Sequence, residues 1–256
     1  MGNDYSFGDS ARASTRLALL ARVFEAPSRA FLLEAGLARC ALAVDLGCGP
    51  GFTTRLLADT LACRRCVGLD ASEAFVAEAA RAAPAGLEFQ RHDATRVPFP
   101  SGPADLAYAR LLCSYLTDPA AALQAWLGAL RPGGRLLLDD VEWIHSEPEA
   151  FQRYLGLVDG VLAARGHCLR VGPRLDEAAR HAGWAVVSNR VREHPVAASD
   201  AATLFSLNLA ELRQNGSARA QLDDGELDAL VEALRVLSRE DGAGITWGLR
   251  QLALEA

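Results

Sequence analysis

Several residue types and patterns are missing or scarce in this sequence, and each narrows the range of functions. Lysine is absent, so all 26 basic residues are arginines, and 32 acidic residues give a net charge of −6. We interpret the missing lysine as coding bias. Arg64-Arg65 is the only basic doublet. Because nucleic-acid binding depends on neutralising phosphates, this distribution argues against DNA or RNA as a partner.

The long apolar segments of membrane proteins are also missing. No apolar run reaches the roughly 18 residues that a membrane-spanning helix needs. The first residues, Met1 to Tyr5, lack the basic and apolar regions of a signal peptide. We therefore expect a soluble cytoplasmic protein with no membrane partner.

Cysteine is too scarce for a disulfide framework. The six cysteines are scattered at Cys40, Cys48, Cys63, Cys66, Cys113 and Cys168. Cys63 and Cys66 have a Cys-x-x-Cys spacing, but no second ligand pair or thioredoxin-like setting accompanies them. We expect neither a metal site nor a redox pair there.

What is present is the composition and patterning of an α/β protein. The chain has 256 residues, of which 50% are apolar, enough for one large domain with a sizeable core. Strands are predicted at 41–46, 66–70, 87–92, 104–109, 135–141, 184–192 and 245–254. Helices are predicted at 16–24, 31–37, 51–61, 73–83, 120–130, 151–164, 176–182, 201–213 and 226–239.

Strands and helices alternate in this pattern, which predicts a doubly wound, mostly parallel, seven-stranded sheet with helices on both faces. Arg131-Pro-Gly-Gly134 is expected to stop one helix and turn into the fifth strand. The helices within 201–239 form an insertion between the last two strands. We see no low-complexity linker and no internal repeat, so one domain over 1–256 is expected.

The stretch 44–53, Val-Asp-Leu-Gly-Cys-Gly-Pro-Gly-Phe-Thr, carries the strongest chemical signal. A strand end, glycines and a helix start bring backbone against a nucleotide-like ligand in α/β folds. Dinucleotide sites use Gly-x-Gly-x-x-Gly, which from Gly47 would require glycine where Phe52 stands. Asp45 would repel a pyrophosphate and suits an ammonium or sulfonium ligand.

Asp-x-Gly-x-Gly-x-Gly in this setting resembles motif I of the class I S-adenosylmethionine-dependent methyltransferases. The resemblance extends over about residues 41–141 and implies a Rossmann-like fold with S-adenosyl-L-methionine as cofactor. It implies an N-terminal helical lid over 1–38, a cofactor-binding core over 39–142, and acceptor-side helices with closing strands over 143–256.

The resemblance assigns roles to the acids at the next two strand ends. Asp70, about 20 residues beyond the glycines, is placed for the ribose hydroxyls; the alternative is that it caps a helix, but Ser72 can do so instead. Asp93 and Ala94 stand at a place similar to the one that contacts adenine in the family. The alternative for Asp93 is an acid in a solvated loop. The predicted cofactor-binding residues are Tyr5, Arg16, Asp45, Gly47, Cys48, Gly49, Asp70, Ala71, Asp93, Ala94 and Arg110.

The acceptor side carries a weaker signal, because methyl transfer depends mainly on alignment and requires no particular residue type. His145 and Tyr154 are candidate catalytic residues, and Trp143, Asn208 and Arg213 are candidate substrate-binding residues. His145 is expected beyond the fifth strand, facing the crevice, although a plain loop residue is the alternative. The Asn/Asp-Pro-Pro-Tyr/Phe tetrapeptide of amino-directed nucleic-acid methyltransferases is absent after the fourth strand.

The sequence therefore predicts a methyltransferase that acts on a small molecule by in-line transfer, with a role in secondary metabolism. Two alternatives keep the cofactor: a cyclase or lyase that consumes it or uses it as a scaffold, and a non-catalytic binding module. A nicotinamide-dependent oxidoreductase is disfavoured by the glycine spacing. The oligomeric state stays open, with a homodimer as one option.

Overall fold

A seven-stranded sheet forms the centre of the protein, in the order β3-β2-β1-β4-β5-β7-β6. The computed structural model describes residues 7–35, 37, 39–240 and 242–256. The strands are β1 (Cys40–Leu46), β2 (Cys63–Asp70), β3 (Leu87–Arg91), β4 (Ala104–Arg110), β5 (Leu130–Ser146), β6 (Ala185–Ala197) and β7 (Ala243–Glu255). Strands β1 to β5 pair in parallel, and β7 runs antiparallel to both β5 and β6. The predicted fold class is confirmed.

Helices cover the sheet and its carboxyl-terminal edge. They are α1 (Ala11–Val23), α2 (Glu25–Ala35), α3 (Phe52–Thr60), α4 (Glu73–Arg81), α5 (Pro119–Leu127), α6 (Glu149–Ala163), α7 (Gly172–His181), α8 (Ala198–Leu212), α9 (Gly216–Arg219) and α10 (Asp224–Leu237). Local signals set several of their starts, since Ser72, Asp118 and Asp223 each accept a backbone N–H at the N-cap. No helix in the described part of the chain is both long and apolar enough to span a membrane.

Three apolar clusters hold these layers together. One lies between the sheet and helices α5 and α7 and contains Trp126 and Trp184. Their indole N–H groups donate to the carbonyls of Ala94 and Leu123, at 2.7 and 3.0 Å, so neither is left unsatisfied. A second cluster lies under α2 and α3. The third joins α6, α8 and α10 above the carboxyl-terminal ends of the strands.

The N-terminal helices differ from the predicted spans of 16–24 and 31–37, which left 25–30 outside any helix. The structure ends α1 at Val23 and begins α2 at Glu25, so Pro27 lies in the first turn of α2. A proline is tolerated there because the first N–H groups of a helix have no partner within the helix.

Strand β5 also departs from the prediction, which limited it to 135–141. It begins at Leu130 and includes Arg131-Pro-Gly-Gly134, while the preceding helix already ends at Leu127. At its other end it continues to Ser146, because β7 pairs with it as far as Ser146 opposite Ile245. Residues 142–145, expected beyond the strand, therefore lie on it.

Gly51 shows how closely the turn after β1 packs. Its φ is +85°, and an added Cβ would lie 2.7 Å from the Phe89 ring and 3.1 Å from Ala79. Gly86 has a similar φ of +93°, but an added Cβ there has no atom within 4 Å. A comparison of alanine substitutions at the two positions distinguishes the free-energy cost of left-handed backbone from that of a steric clash.

We expect Gly86→Ala to lower the free energy of unfolding by roughly 1–2 kcal/mol through backbone strain. Gly51→Ala should cost that amount plus about 1–3 kcal/mol for displacing Phe89. Urea unfolding of both variants measures the difference. Equal losses in the two variants would contradict this account of the turn.

Candidate functional site

A cavity of about 1000 Å³ opens at the carboxyl-terminal ends of the parallel strands. This is the crevice where open α/β sheets bind ligands, and the volume is at the upper end of the roughly 300–1000 Å³ usual for small-molecule sites. The sheet order places β3, β2 and β1 at one end of the cavity and β5 and β7 at the other. The residues that line the two ends differ in chemistry.

We call the end beyond β1, β2 and β3 the polar half. It contains Gly47, Cys48, Gly49, Asp70, Ala71, Arg91, Asp93, Ala94 and Arg96. We call the end beyond β5 and β7, roofed by α6 and α8, the apolar half. It contains Leu111, Tyr115, Val141, Tyr154, Leu155, Val158, His167, Leu169, Leu204, Phe205, Asn208 and Trp247.

The turn after β1 is held against β2 by its own backbone. The amides of Gly47 and Cys48 both donate to the carbonyl of Leu69, at 2.8 and 3.0 Å. Gly47 has a φ of +68°, and an added Cβ would lie 2.8 Å from a side-chain carbon of Leu112. The turn therefore requires glycine at this position, and it presents backbone to the cavity.

Asp70 ends β2 and joins the two sides of the polar half. Its Oδ2 accepts the amide of Gly49 and its Oδ1 accepts the amide of Ser72, each at 2.8 Å. Burial raises the pKa of Asp70, and the nearby carboxylate of Asp9 contributes in the same direction. Ser72, not Asp70, is the N-cap of α4, because its hydroxyl accepts the amide of Phe75.

Asp93 and Ala94 follow β3 and line the outer end of the polar half. The Asp93 carboxylate accepts the amide and the hydroxyl of Thr95, at 3.0 and 2.7 Å, and its side chain is half exposed. The Ala94 carbonyl is already engaged by Trp126. The chain is thus fixed in a turn that leaves the Asp93 carboxylate at the cavity edge.

Asp45 lies behind the glycine turn and is not among the residues that line the cavity. Its Oδ2 accepts the hydroxyls of Thr53 and Thr54, at 2.6 and 2.7 Å. Burial raises its pKa to about 6, although those two hydrogen bonds oppose the rise. In this position Asp45 anchors the first turn of α3.

Arg110 ends β4 and Leu111 follows it, at the boundary between the two halves. The Arg110 guanidinium lies near the buried carboxylates of Asp45 and Asp139 and lowers the pKa of each, against the larger effect of burial. Leu111 has a φ of +53°, an unfavourable conformation for a residue with a branched side chain. Such strain is characteristic of ligand-binding loops that the surrounding structure holds in place.

Helix α1 crosses the cavity and connects its two ends. The Ser14 hydroxyl donates to Glu78 of α4 at 2.6 Å, and the Ser10 hydroxyl donates to Glu211 of α8 at 2.9 Å. Arg16, only 3% exposed, donates to the side-chain carbonyl of Asn208 at 3.0 Å. Asn208 in turn donates to the Tyr154 hydroxyl, so a polar chain runs from α1 through α8 to α6.

The structure brings most of the sequence-predicted residues to one cavity. Those that line it are Arg16, Gly47, Cys48, Gly49, Asp70, Ala71, Asp93, Ala94, Arg110, Tyr154 and Asn208. Their convergence follows from the parallel strands, whose carboxyl-terminal ends meet at one edge of the sheet. Asp45, as described above, lies behind that edge.

Three further predicted residues are described by the structure and do not line the cavity. His145 lies on β5 opposite Thr246 and is exposed. Trp143, also on β5, packs on the backbone of Gly248. Arg213 follows α8 and forms an ion pair with Asp228. Tyr5 lies outside the described residues.

Three residues that line the apolar half were not among the site residues predicted from the sequence. His167, in the connection between α6 and α7, lines the apolar half, and its ring contacts Tyr115 at a centroid distance of 6.3 Å. Trp247 on β7 lines the same half and packs edge-on against Phe24 at 5.1 Å. Tyr115 lies five residues after the end of β4, and this closeness to a strand end was the signal that could have predicted it. No local sequence pattern marks His167 as a cavity residue.

Asp140 fixes the 3-10 turn at Cys113–Tyr115, of which Ser114 and Tyr115 line the cavity between β4 and the apolar half. Its carboxylate is fully buried and accepts the Ser114 hydroxyl at 2.5 Å and the Cys113 amide at 2.8 Å. Burial raises its pKa from 3.8 to about 6. The charged form of Asp140 is therefore less stable in the folded than in the unfolded chain.

Comparison with known proteins gives an assignment for the central segment. Residues 44–138 match the family model described as "Methyltransferase domain". This segment contains the glycine turn, Asp70, Asp93 and Arg110. Over 111 residues the chain is 38% identical to trans-aconitate 2-methyltransferase of Azoarcus sp. (strain BH72), covering 43% of each protein. The chain therefore matches less than half the length of this curated relative.

Solved structures share the architecture at low sequence identity. Phosphoethanolamine N-methyltransferase 2 of Haemonchus contortus, in complex with S-adenosyl-L-methionine, has a TM-score of 0.59 at 18% identity, covering 100% of this chain and 60% of that chain. The [4+2]-cyclase SpnF has a TM-score of 0.56 at 20% identity, with 90% and 80% coverage. These likenesses show the fold.

The raised pKa of Asp140 predicts a pH dependence of stability. Below about pH 4 the carboxyl is protonated in both states, and above about pH 6 it is ionised in both. Between these values the folded state holds the proton more tightly, so the contribution of Asp140 to the free energy of unfolding falls as the pH rises, by about 3 kcal/mol for a shift of this size.

Asp140→Asn removes this titration. We expect the free energy of unfolding, measured with urea between about pH 4 and about pH 7, to fall less steeply with rising pH than in the original chain. Asp118→Asn, at an exposed N-cap where asparagine is also favoured, should leave the slope unchanged. An unchanged slope in Asp140→Asn would contradict the proposed burial effect.

Proposed function

We propose, from the match of residues 44–138 to the methyltransferase-domain family, that the protein is an S-adenosylmethionine-dependent methyltransferase that acts on a small molecule. One observation carries the proposal: the glycine turn and the Asp70 carboxylate face a cavity whose other half is apolar and roofed by helices. A nucleoside cofactor and an apolar acceptor need these two environments side by side.

The residues of the polar half fit the cofactor. The two oxygens of an ionised carboxylate can accept about four hydrogen bonds, and the amides of Gly49 and Ser72 each donate one to Asp70, to different oxygens. Asp70 can therefore accept the ribose hydroxyls while it still holds the turn. Asp93 lines the outer end of the same half, and we propose that its carboxylate accepts the exocyclic amine of adenine.

When bound, S-adenosylmethionine supplies a methyl group that its sulfonium already activates. The task of the chain is then to position the acceptor and to exclude water. Alignment of two reactants can contribute roughly 7–11 kcal/mol to catalysis. Helix α1, attached to α4 through Ser14 and to α8 through Ser10 and Arg16, closes the cavity over both halves.

A proton must leave the acceptor if the methylated atom carries one. Tyr154 and His167 line the apolar half and are the titratable side chains we propose for this role, in place of His145. Base catalysis of this kind contributes about 10²–10⁴-fold. We further propose that 1–38 acts as a lid, 39–142 binds the cofactor, and 143–256 surrounds the acceptor.

Calorimetric titration with S-adenosylmethionine tests the cofactor assignment. We expect micromolar binding to the original chain and roughly 10- to 100-fold weaker binding to Asp70→Asn, because hydrogen bonds to a charged group contribute about 1.5–3 kcal/mol. Asp118→Asn, an exposed substitution of the same type, should bind like the original. Absence of binding to the original chain, or equal binding to Asp70→Asn, would contradict the assignment.

The products separate methyl transfer from chemistry on the cofactor alone. Incubation with S-adenosylmethionine and an accepted small molecule should release S-adenosylhomocysteine. Release of methylthioadenosine without any acceptor would instead indicate that the cofactor is cyclised as its own substrate.

A further inference from the structure

The apolar half of the cavity is lined mainly by rings and branched aliphatic side chains. Tyr154 and Phe205 stack at a centroid distance of 3.9 Å and an interplanar angle of 17°. Tyr115 and Trp247 add two further rings. Phe205 and Tyr154 are 1% and 2% exposed, so the rings are packed in place. Fixed aromatic faces and edges favour flat apolar partners.

Charge is distributed unevenly along the cavity. Among the described lining residues, the acids are Asp70 and Asp93, and both belong to the polar half. Arg91 ends β3 and Arg96 follows it at the far end, and Arg110 lies at the boundary beside two buried carboxylates. The described lining of the apolar half thus includes no acid and no guanidinium beyond Arg16 of α1, which contacts it through Asn208.

This distribution disfavours a polyanionic acceptor. A carboxylate moved from water into an apolar site loses its hydration and must find cations or hydrogen-bond donors there. A tricarboxylate would need several cationic partners at once. The described cationic or potentially cationic groups at the apolar half are the imidazole of His167 and the guanidinium of Arg16, which contacts that half through Asn208.

We propose that the acceptor is a planar, mostly apolar molecule with a ring system and at most one charged group. It would lie between the Tyr154–Phe205 pair and Trp247, with its polar group toward Asn208. This inference rests on the proposed function and deepens it by naming the substrate class. The proposed acceptor differs from trans-aconitate, the tricarboxylate in the name of the Azoarcus relative.

Two probes test the proposal on protein saturated with S-adenosylhomocysteine. 2-Naphthol is a planar aromatic hydroxyl compound, and trans-aconitate is a tricarboxylate. We expect calorimetry to give a dissociation constant for 2-naphthol at least tenfold lower than for trans-aconitate. Equal or tighter binding of trans-aconitate would overturn the proposal, and so would failure of 2-naphthol to bind.

A pair of matched variants locates the bound probe. Leu204 on α8 is 5% exposed and lines the apolar half, whereas Leu33 on α2 is 65% exposed and lies outside the cavity. Leu204→Trp should weaken 2-naphthol binding at least tenfold by filling the space, and Leu33→Trp should not. Equal effects of the two substitutions would overturn the location.

A smaller substitution covers the case in which Leu204→Trp does not fold. Val158→Phe on α6 narrows the same half of the cavity, and circular dichroism verifies the fold of each variant. It should also weaken 2-naphthol binding, and unchanged binding in folded Val158→Phe would count against the proposal.

The proposed function and the proposed substrate class can be contradicted separately. If neither S-adenosylmethionine nor S-adenosylhomocysteine binds the original chain, the proposed function is wrong and this inference falls with it. If the cofactor binds and trans-aconitate is the preferred or methylated partner, only the substrate class is wrong.

Discussion

The two hydrogen bonds to the Asp70 carboxylate are the contacts on which the polar half of the cavity depends. One comes from the turn after β1 and the other from the start of α4, so a single side chain sets the spacing between two strand ends. The cost is a carboxylate held largely away from water, which raises its pKa. The two oxygens of Asp70 can still accept further hydrogen bonds, and Asp70 lines the cavity. A buried carboxylate with acceptor positions at a cavity is characteristic of a ligand-binding site.

The order of the strands places polar residues at one end of the cavity and apolar residues at the other. Charged residues follow β2 and β3 at one side of the sheet, and aromatic and aliphatic residues come from β5, β7 and the helices that follow at the other. A nucleotide and an apolar molecule can thus be held in one continuous space without sharing a solvent environment. The strained backbone of Leu111 and the buried Asp140 lie where the two environments meet.

Most of the residues predicted for the polar half line the cavity, and the sequence signals that mark them are local. A strand end, spaced glycines and an acid at the next strand end are read within about thirty residues, and parallel pairing brings them together. His145 illustrates the opposite case: its place on β5 depends on pairing with β7, about a hundred residues away, which continues the strand beyond Val141. His167 reaches the cavity through the packing of α6, and no local pattern marks it.

Helix α1 touches both ends of the cavity at once, through Glu78 of α4 on one side and through Asn208 and Glu211 of α8 on the other. A molecule that draws this helix toward either end therefore alters the affinity of the opposite end. Thermodynamic reciprocity then requires the influence to be equal in both directions. If a nucleoside occupies the polar half and a ring-bearing molecule the apolar half, as proposed, the two binding equilibria would be linked through this one helix, although separate sets of side chains would hold the two molecules.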